Sequence, residues 1–64
     1  MSFGERLREI RKEQGYSQRE FAQIVGITQC LLCRYEKDRI QPTLSRIEWL
    51  CSALNVSATE LLGF

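Results

Sequence analysis

The stretch Ser17–Glu36, SQREFAQIVGITQCLLCRYE, gives the clearest indication of the fold of this chain. Its apolar side chains recur three and four residues apart on both sides of Gly26, which is the spacing of helices packed on a core. The serine at its start is followed three residues later by Glu20, an arrangement that caps the beginning of a helix. Glycine accepts the left-handed backbone with which many helices end. The stretch therefore predicts two short helices, about 18–25 and 29–37, joined by a tight turn.

The same start and stop signals recur along the whole chain. Ser2 and Ser57 also precede a glutamate by three residues, and Thr28 and Thr43 stand where helix starts are needed. Gly15, Asp38 and Asn55 tolerate the left-handed backbone of a helix end. No segment shows the period-two alternation of a strand. We therefore predict an all-α fold in a single domain, 1–64, with five helices at about 3–13, 18–25, 29–37, 44–54 and 58–62.

Apolar residues at helical spacing define the predicted core of this fold. They come from the first, second, fourth and fifth helices: Phe3, Leu7, Ile10, Phe21, Ala22, Val25, Leu44, Ile47, Leu50, Cys51, Leu54, Leu61 and Leu62. A chain of 64 residues is short for one domain. Because so small a domain buries only about 60% of its unfolded surface, we expect a marginal core that a partner can support.

The composition argues against several functional classes. No apolar run approaches the roughly 18 residues of a membrane span, and the N-terminal residues are too charged for a secretory signal. The chain has no histidine, and it shows no nucleophile–base pair and no glycine-rich phosphate loop. We therefore predict that it is not an enzyme and needs no cofactor. Three cysteines, an odd number without a signal peptide, indicate reduced thiols and a cytoplasmic location.

The predicted third helix has two different faces. At 100° per residue, Leu32 and Tyr35 point together, whereas Cys30, Cys33 and Arg34 point away from them. An α-helix fits the major groove of DNA, where glutamine pairs with adenine, arginine pairs with guanine and a small side chain permits close approach. Periodicity alone leaves open whether the outward face reads DNA or is only solvated.

A longer pattern covers nearly the whole chain. It runs Ser17-Gln18-x-x-Phe21-Ala22-x-x-Val25-Gly26-Ile27-Thr28-Gln29 and then Leu32-x-x-Tyr35-Glu36. It continues upstream through RLREIRKEQGYSQ and downstream from Pro42 to Leu62. This pattern resembles the lambda Cro/C1 repressor-like (XRE) family. The resemblance implies a compact five-helix DNA-binding domain whose helices 2 and 3 form a helix-turn-helix, acting as a homodimer on a palindromic operator in double-stranded DNA.

The resemblance also implies roles for individual residues. Base readout is expected from the outward face of helix 3, at Gln29, Cys30, Cys33 and Arg34. Contacts with DNA phosphates are expected from Gln18, Arg19, Lys37 and Arg39. A structural salt bridge between helices 1 and 3 is expected from Arg11 and Glu36. The segment 28–46 holds four cationic and two acidic side chains, a modest excess that predicts moderate affinity for each monomer.

Two positions depart from the pattern of the resembled family. Trp49 stands where relatives are usually polar, and an exposed tryptophan favours an interface because it buries a large area with few rotatable bonds. We predict that Trp49 and Phe64 help to form a dimer interface; the alternative is that Trp49 folds onto the surface of its own domain. Asp38 replaces a glycine found in many relatives, so we expect a different exit from helix 3.

The third departure is the pair Cys30-x-x-Cys33. One chain without histidine and without a second such pair cannot complete a tetrahedral site, so no metal is predicted. The Cβ atoms three residues apart on a helix lie about 5–6 Å from each other, too far for an unstrained disulfide. We interpret both thiols as small side chains that face DNA, and a redox-sensitive surface is the alternative.

Two functional hypotheses follow. The first is a sequence-specific transcriptional regulator of the repressor type. The second is an antitoxin or interaction module that uses the same domain and binds a toxin or another regulatory protein.

Overall fold

Five helices pack around one core in the structure, a computed structural model that describes residues 2–62. The helices are α1 (Phe3–Glu13), α2 (Gln18–Val25), α3 (Gln29–Glu36), α4 (Leu44–Leu54) and α5 (Ala58–Leu62). The predicted all-α fold is confirmed. Helix α3 ends one residue earlier than predicted, because Lys37 is its cap. None of the described helices is both long enough and apolar enough to cross a membrane.

The predicted side-chain caps fix where the helices begin. Ser2 and Ser17 each accept a hydrogen bond from the backbone N–H of the glutamate three residues on, and that carboxylate accepts from the serine N–H in return. Thr28 and Thr43 cap α3 and α4 through their hydroxyl oxygens, each at 3.1 Å from a backbone nitrogen. Each cap satisfies a donor that the helix leaves unpaired, which contributes roughly 1 kcal/mol.

Left-handed backbone fixes where the helices end. Among the described residues, positive φ angles occur at Gly15 (79°), Gly26 (75°), Asp38 (56°) and Asn55 (56°). These are the positions predicted from the sequence. The turn at Gly26 matters most, because it lets α3 change direction from α2 after only three intervening residues.

The core joins all five helices. Its buried members are Leu7, Ile10, Phe21, Ala22, Val25, Leu32, Tyr35, Leu50, Leu54 and Leu61. The prediction was wrong for Leu44, whose side chain is 72% exposed. Leu44 lies in the first turn of α4, roughly 100° around the helix from the mean direction of Leu50 and Leu54. Its side chain therefore projects past the core.

The first turn of α1 lies directly against the end of α3. A Cβ atom on Gly4 would collide with the carbonyl oxygen of Tyr35 and lie 2.7 Å from that of Glu36. Only glycine permits this approach. Asp38 then joins the two helices, because its carboxylate accepts from the Gly4 N–H at 2.9 Å and from the Ser2 hydroxyl at 2.6 Å. The backbone at Asp38 is left-handed, a conformation that glycine adopts readily. The aspartate side chain adds two hydrogen bonds that a glycine at this position could not make.

Candidate nucleic-acid interface

A buried ion pair holds α3 against α1. Arg11 Nε donates to Glu36 Oε2 at 2.8 Å and Arg11 Nη2 donates to Glu36 Oε1 at 3.1 Å, so the contact is bidentate. A third guanidinium nitrogen, Nη1, donates to the carbonyl oxygen of Tyr16 at 2.9 Å. Both charged residues are at least nine-tenths buried. The structure thus brings together the pair predicted from the sequence, and the fixed fork of arginine gives that pair a defined geometry.

Gln18 connects this ion pair to the surface. Its amide Nε2 donates to Glu36 Oε1 at 3.2 Å, and the residue is half-buried. A side-chain amide nitrogen carries two hydrogens, so one N–H remains available to an acceptor outside the protein. Gln18 is also the first residue of α2, where unpaired backbone N–H groups favour an anion. The position suits a contact with a phosphate.

The outward face of α3 forms one wall of an open surface cavity of about 520 Å³. Seven residues line it: Gln18, Gln29, Cys30, Cys33, Arg34, Lys37 and Arg39. All four residues predicted to read bases are among them, and so are three of the four predicted to hold phosphates. Arg19 is exposed on α2 but does not line this cavity.

The cavity carries an uncompensated positive charge. Arg34, Lys37 and Arg39 contribute three cations, and none of the described residues that line it has a carboxylate. The two acidic residues of the segment 28–46 face away from the cavity. Glu36 forms an ion pair with Arg11, and the Asp38 carboxylate accepts hydrogen bonds from the start of α1. The charge count along the sequence therefore understated the field at this surface, because local potential depends on where each charge points.

The sequence matches the family described as helix-turn-helix over residues 7–61. The chain belongs to the helix-turn-helix family. The HTH-type transcriptional regulator PuuR of Escherichia coli (strain K12) is 37% identical over 60 residues, which cover 94% of this chain and 32% of that protein. The match confirms the predicted membership of the Cro/C1-type group, which comprises DNA-binding regulators and not enzymes.

Two solved helix-turn-helix structures have the same fold. The restriction-modification controller protein C.AhdI from Aeromonas hydrophila aligns with a TM-score of 0.83 and 33% identity, over 94% of this chain and 87% of that one. The P22 c2 repressor, solved in complex with a synthetic operator, aligns with a TM-score of 0.83 and 27% identity, over 97% and 94% of the two chains.

Several curated relatives are longer than this helix-turn-helix domain. The chain spans 32% of PuuR and 50% of the regulator ImmR of Bacillus subtilis (strain 168). The antitoxin PezA of Streptococcus pneumoniae is 35% identical over 60 residues, which cover 94% of this chain and 38% of that protein.

Two residues beside this surface were not predicted from the sequence to take part in it. Arg8 lines a smaller cavity of about 220 Å³ with Arg11, Gln18, Glu36 and Lys37. Its spacing of one helical turn before Arg11 was a usable signal, because residues three apart share a helix face. Asp38 was expected at a helix end, but its contacts with α1 join residues 34 and 36 positions apart. No local sequence pattern encodes contacts of that range.

Trp49 packs beside the turn of the helix-turn-helix. Its indole Nε1 donates to the carbonyl oxygen of Val25 at 2.6 Å, and its ring lies 3.5 Å from the place where a Cβ on Gly26 would be. The side chain remains 53% exposed. One edge of Trp49 thus rests on its own domain while the other faces solvent. Phe64, its predicted companion at a dimer interface, lies outside the described residues.

Proposed function

We propose that this chain is the DNA-binding domain of a cytoplasmic, repressor-type transcriptional regulator. Helix α3 enters the major groove, and two copies bind a palindromic operator. The observation that carries the proposal is the two-sided character of α3. Its inward residues Leu32, Tyr35 and Glu36 are buried, whereas its outward residues line a cationic cavity and are open to a ligand. A reading helix needs both properties, because it must be held rigidly while its base-contacting side chains stay unpaired.

The size of α3 suits the groove. An α-helix with its side chains is about 10–12 Å across. The major groove is about 12 Å wide and accepts one helix with its side chains. Gln29 and Cys30 lie in the first turn of α3, and Arg34 follows one turn later. In this pose Gln29 reads adenine, Arg34 reads guanine, and the two thiols permit close approach to base edges.

The phosphate contacts flank the reading helix on both sides. Gln18 approaches from the start of α2 with its free amide N–H, and Lys37 and Arg39 approach from the segment that follows α3. Contacts of this kind fix the register of a protein on the duplex and carry little sequence information themselves. We place Arg8 beside them, because it shares a cavity with Gln18 and Lys37.

Selection of bound sequences from a pool of random duplex DNA tests the proposal. We expect enrichment of one half-site, repeated as an inverted pair one helical turn apart, about 34 Å between centres. The distance between repeats reports the geometry of the dimer, including any part that Trp49 takes in it. Failure to enrich any sequence at low salt contradicts the proposal.

The likeness to PezA supports a second candidate, an antitoxin that uses the same helix-turn-helix domain. The two candidates share the DNA-reading surface and differ in the partner. A small reading frame encoding a toxin next to the gene, whose product co-purifies with this chain, favours the antitoxin. Purification of the chain alone, from cells that express the neighbouring genes, favours the regulator.

A further inference from the structure

Two of the three thiols of this chain face the proposed DNA-binding surface. Cys30 is exposed and Cys33 is half-buried, and both line the cationic cavity. Neither belongs to the hydrophobic core or packs against it. Cys51, in contrast, packs against the core from α4. Cys51 therefore has a packing role that Cys30 and Cys33 lack, and it can serve as a control for them.

The surroundings of Cys30 select the kind of reagent that reaches it. The cavity holds three cations, Arg34, Lys37 and Arg39, and the described residues that line it include no carboxylate. A concave surface lined by one sign of charge raises the local concentration of small ions of opposite sign. Anionic thiol reagents are therefore concentrated around Cys30, and cationic reagents are depleted there.

We propose that Cys30 is a modification site for small anionic disulfides, of which oxidised glutathione is the type, and that the modification controls access to the DNA-reading face. The regulatory part rests on the proposed function. The sulfur of Cys30 attacks, as thiolate, one sulfur of the reagent. One S–S bond forms as the other breaks, so the sulfur of Cys30 is oxidised. The departing sulfur is reduced and takes up the proton that Cys30 released.

The geometry of α3 preserves this mixed disulfide. Cys33 is the only other thiol in the described cavity, and it lies three residues from Cys30 on a continuous helix. Cβ atoms at that spacing are about 5–6 Å apart, whereas a disulfide needs about 3.5–4.5 Å. Displacement of the adduct by Cys33 would therefore have to open a turn of α3. The product is a mixed disulfide on Cys30, removable by an external thiol.

The adduct blocks DNA in two ways. It places a tripeptide in the space that a base edge occupies in the proposed complex. Its two carboxylates, partly offset by its ammonium group, also lower the positive charge of the cavity, where Lys37 and Arg39 are proposed to meet the phosphates. Loss of phosphate contacts lowers affinity steeply, so we expect operator affinity to fall by about tenfold or more.

Mass spectrometry of the folded chain, treated with oxidised glutathione, tests the site. We expect one added glutathionyl group, absent from Cys30→Ser and retained in Cys51→Ala. The matched cationic disulfide cystamine is expected to react several-fold more slowly, and the difference should shrink at high salt, where charges are screened. Affinity for the selected operator should fall on treatment, return with dithiothreitol, and be insensitive to glutathione in Cys30→Ser.

Four results overturn the proposal: an adduct on Cys33 or Cys51, an internal disulfide, equal rates with the two reagents, or unchanged operator affinity of the adduct. The mass and rate measurements need no DNA. If untreated protein binds no DNA sequence, the proposed function fails, while an adduct on Cys30 formed faster by the anionic reagent still establishes the modification site.

Discussion

The inward and outward faces of α3 come from the same eight residues and are opposite in character. On the inward side, the Glu36 carboxylate accepts hydrogen bonds from Arg11 and Gln18. Tyr35 packs edge-to-face on Phe3, with ring centroids 5.9 Å apart. On the outward side, polar and cationic side chains line an open cavity. The side chains that hold α3 rigidly and those that remain available to a ligand therefore lie on opposite sides of the helix, and not in different segments of it. Substitutions on the two faces should therefore have different consequences.

The largest effect is expected from Arg11→Ala on the inward face. This change leaves Glu36 buried without its cation, and breaking a buried pair in this way costs about 3–5 kcal/mol. Operator affinity should fall as well, because α3 loses the contact that fixes its orientation. Urea unfolding and DNA titration of the same preparation measure both quantities.

The double variant Arg11→Met with Glu36→Leu serves as the control for this prediction. Replacing a buried pair by apolar side chains of similar volume restores stability in many cases. We expect stability to recover while operator affinity stays low. A single variant Arg11→Ala that loses affinity at unchanged stability would instead show that Arg11 contacts phosphate directly.

Gly4→Ala is expected to have the next largest effect. The added Cβ collides with the carbonyl oxygens of Tyr35 and Glu36, so α1 must move away from the end of α3. Overpacking of this kind costs about 1–3 kcal/mol. Gly15→Ala is the matched control, because no atom lies within 4 Å of its Cβ position and only the left-handed backbone is strained. A loss of less than about 0.5 kcal/mol in Gly4→Ala, measured by thermal unfolding, would show that the close approach at Gly4 is unimportant.

Arg34→Ala on the outward face should spare stability and reduce binding. We expect unfolding free energy to change by less than about 0.5 kcal/mol, since the side chain is exposed. Operator affinity should fall by about 1–3 kcal/mol, with relaxed preference at one base pair. Lys12→Ala removes an exposed cation that lies in a different surface cavity of α1. If both variants lose affinity equally, net charge and not the reading face governs binding.

The smallest effect is expected from the cap of α2, which belongs to neither face of α3. Two hydrogen bonds from Ser17 lower the pKa of Glu20. The larger effect comes from the Ser17 backbone N–H and the smaller from its hydroxyl. A carboxyl whose pKa is lower in the folded state stabilises the protein above the unfolded-state pKa, and that contribution is lost as the pH falls through the folded-state value. Urea midpoints measured across this acidic range should decline less in Glu20→Gln. An identical decline would show that other groups govern acid unfolding.

The helices and their ends were predictable because the signals that set them are local. The serine and threonine caps act over three residues, and Gly15, Gly26, Asp38 and Asn55 determine their own backbone conformation. The division of α3 into two faces also followed from sequence, since helical periodicity fixes which side chains share a side. Leu44 shows the limit of that reasoning, because periodicity gives a direction and not the extent of the core in that direction.

Local sequence signals specify five capped helices, one of which presents glutamine, cysteine and arginine outward. How that helix is held, and which charges surround it, depends on the packing of the helices. The Asp38 carboxylate accepts from Gly4 across 34 positions, Trp49 donates to Val25 across 24, and Gln18 donates to Glu36 across 18. The physical reason is range: a cap needs only its neighbours, whereas the partner of a charge depends on which helices the core brings together.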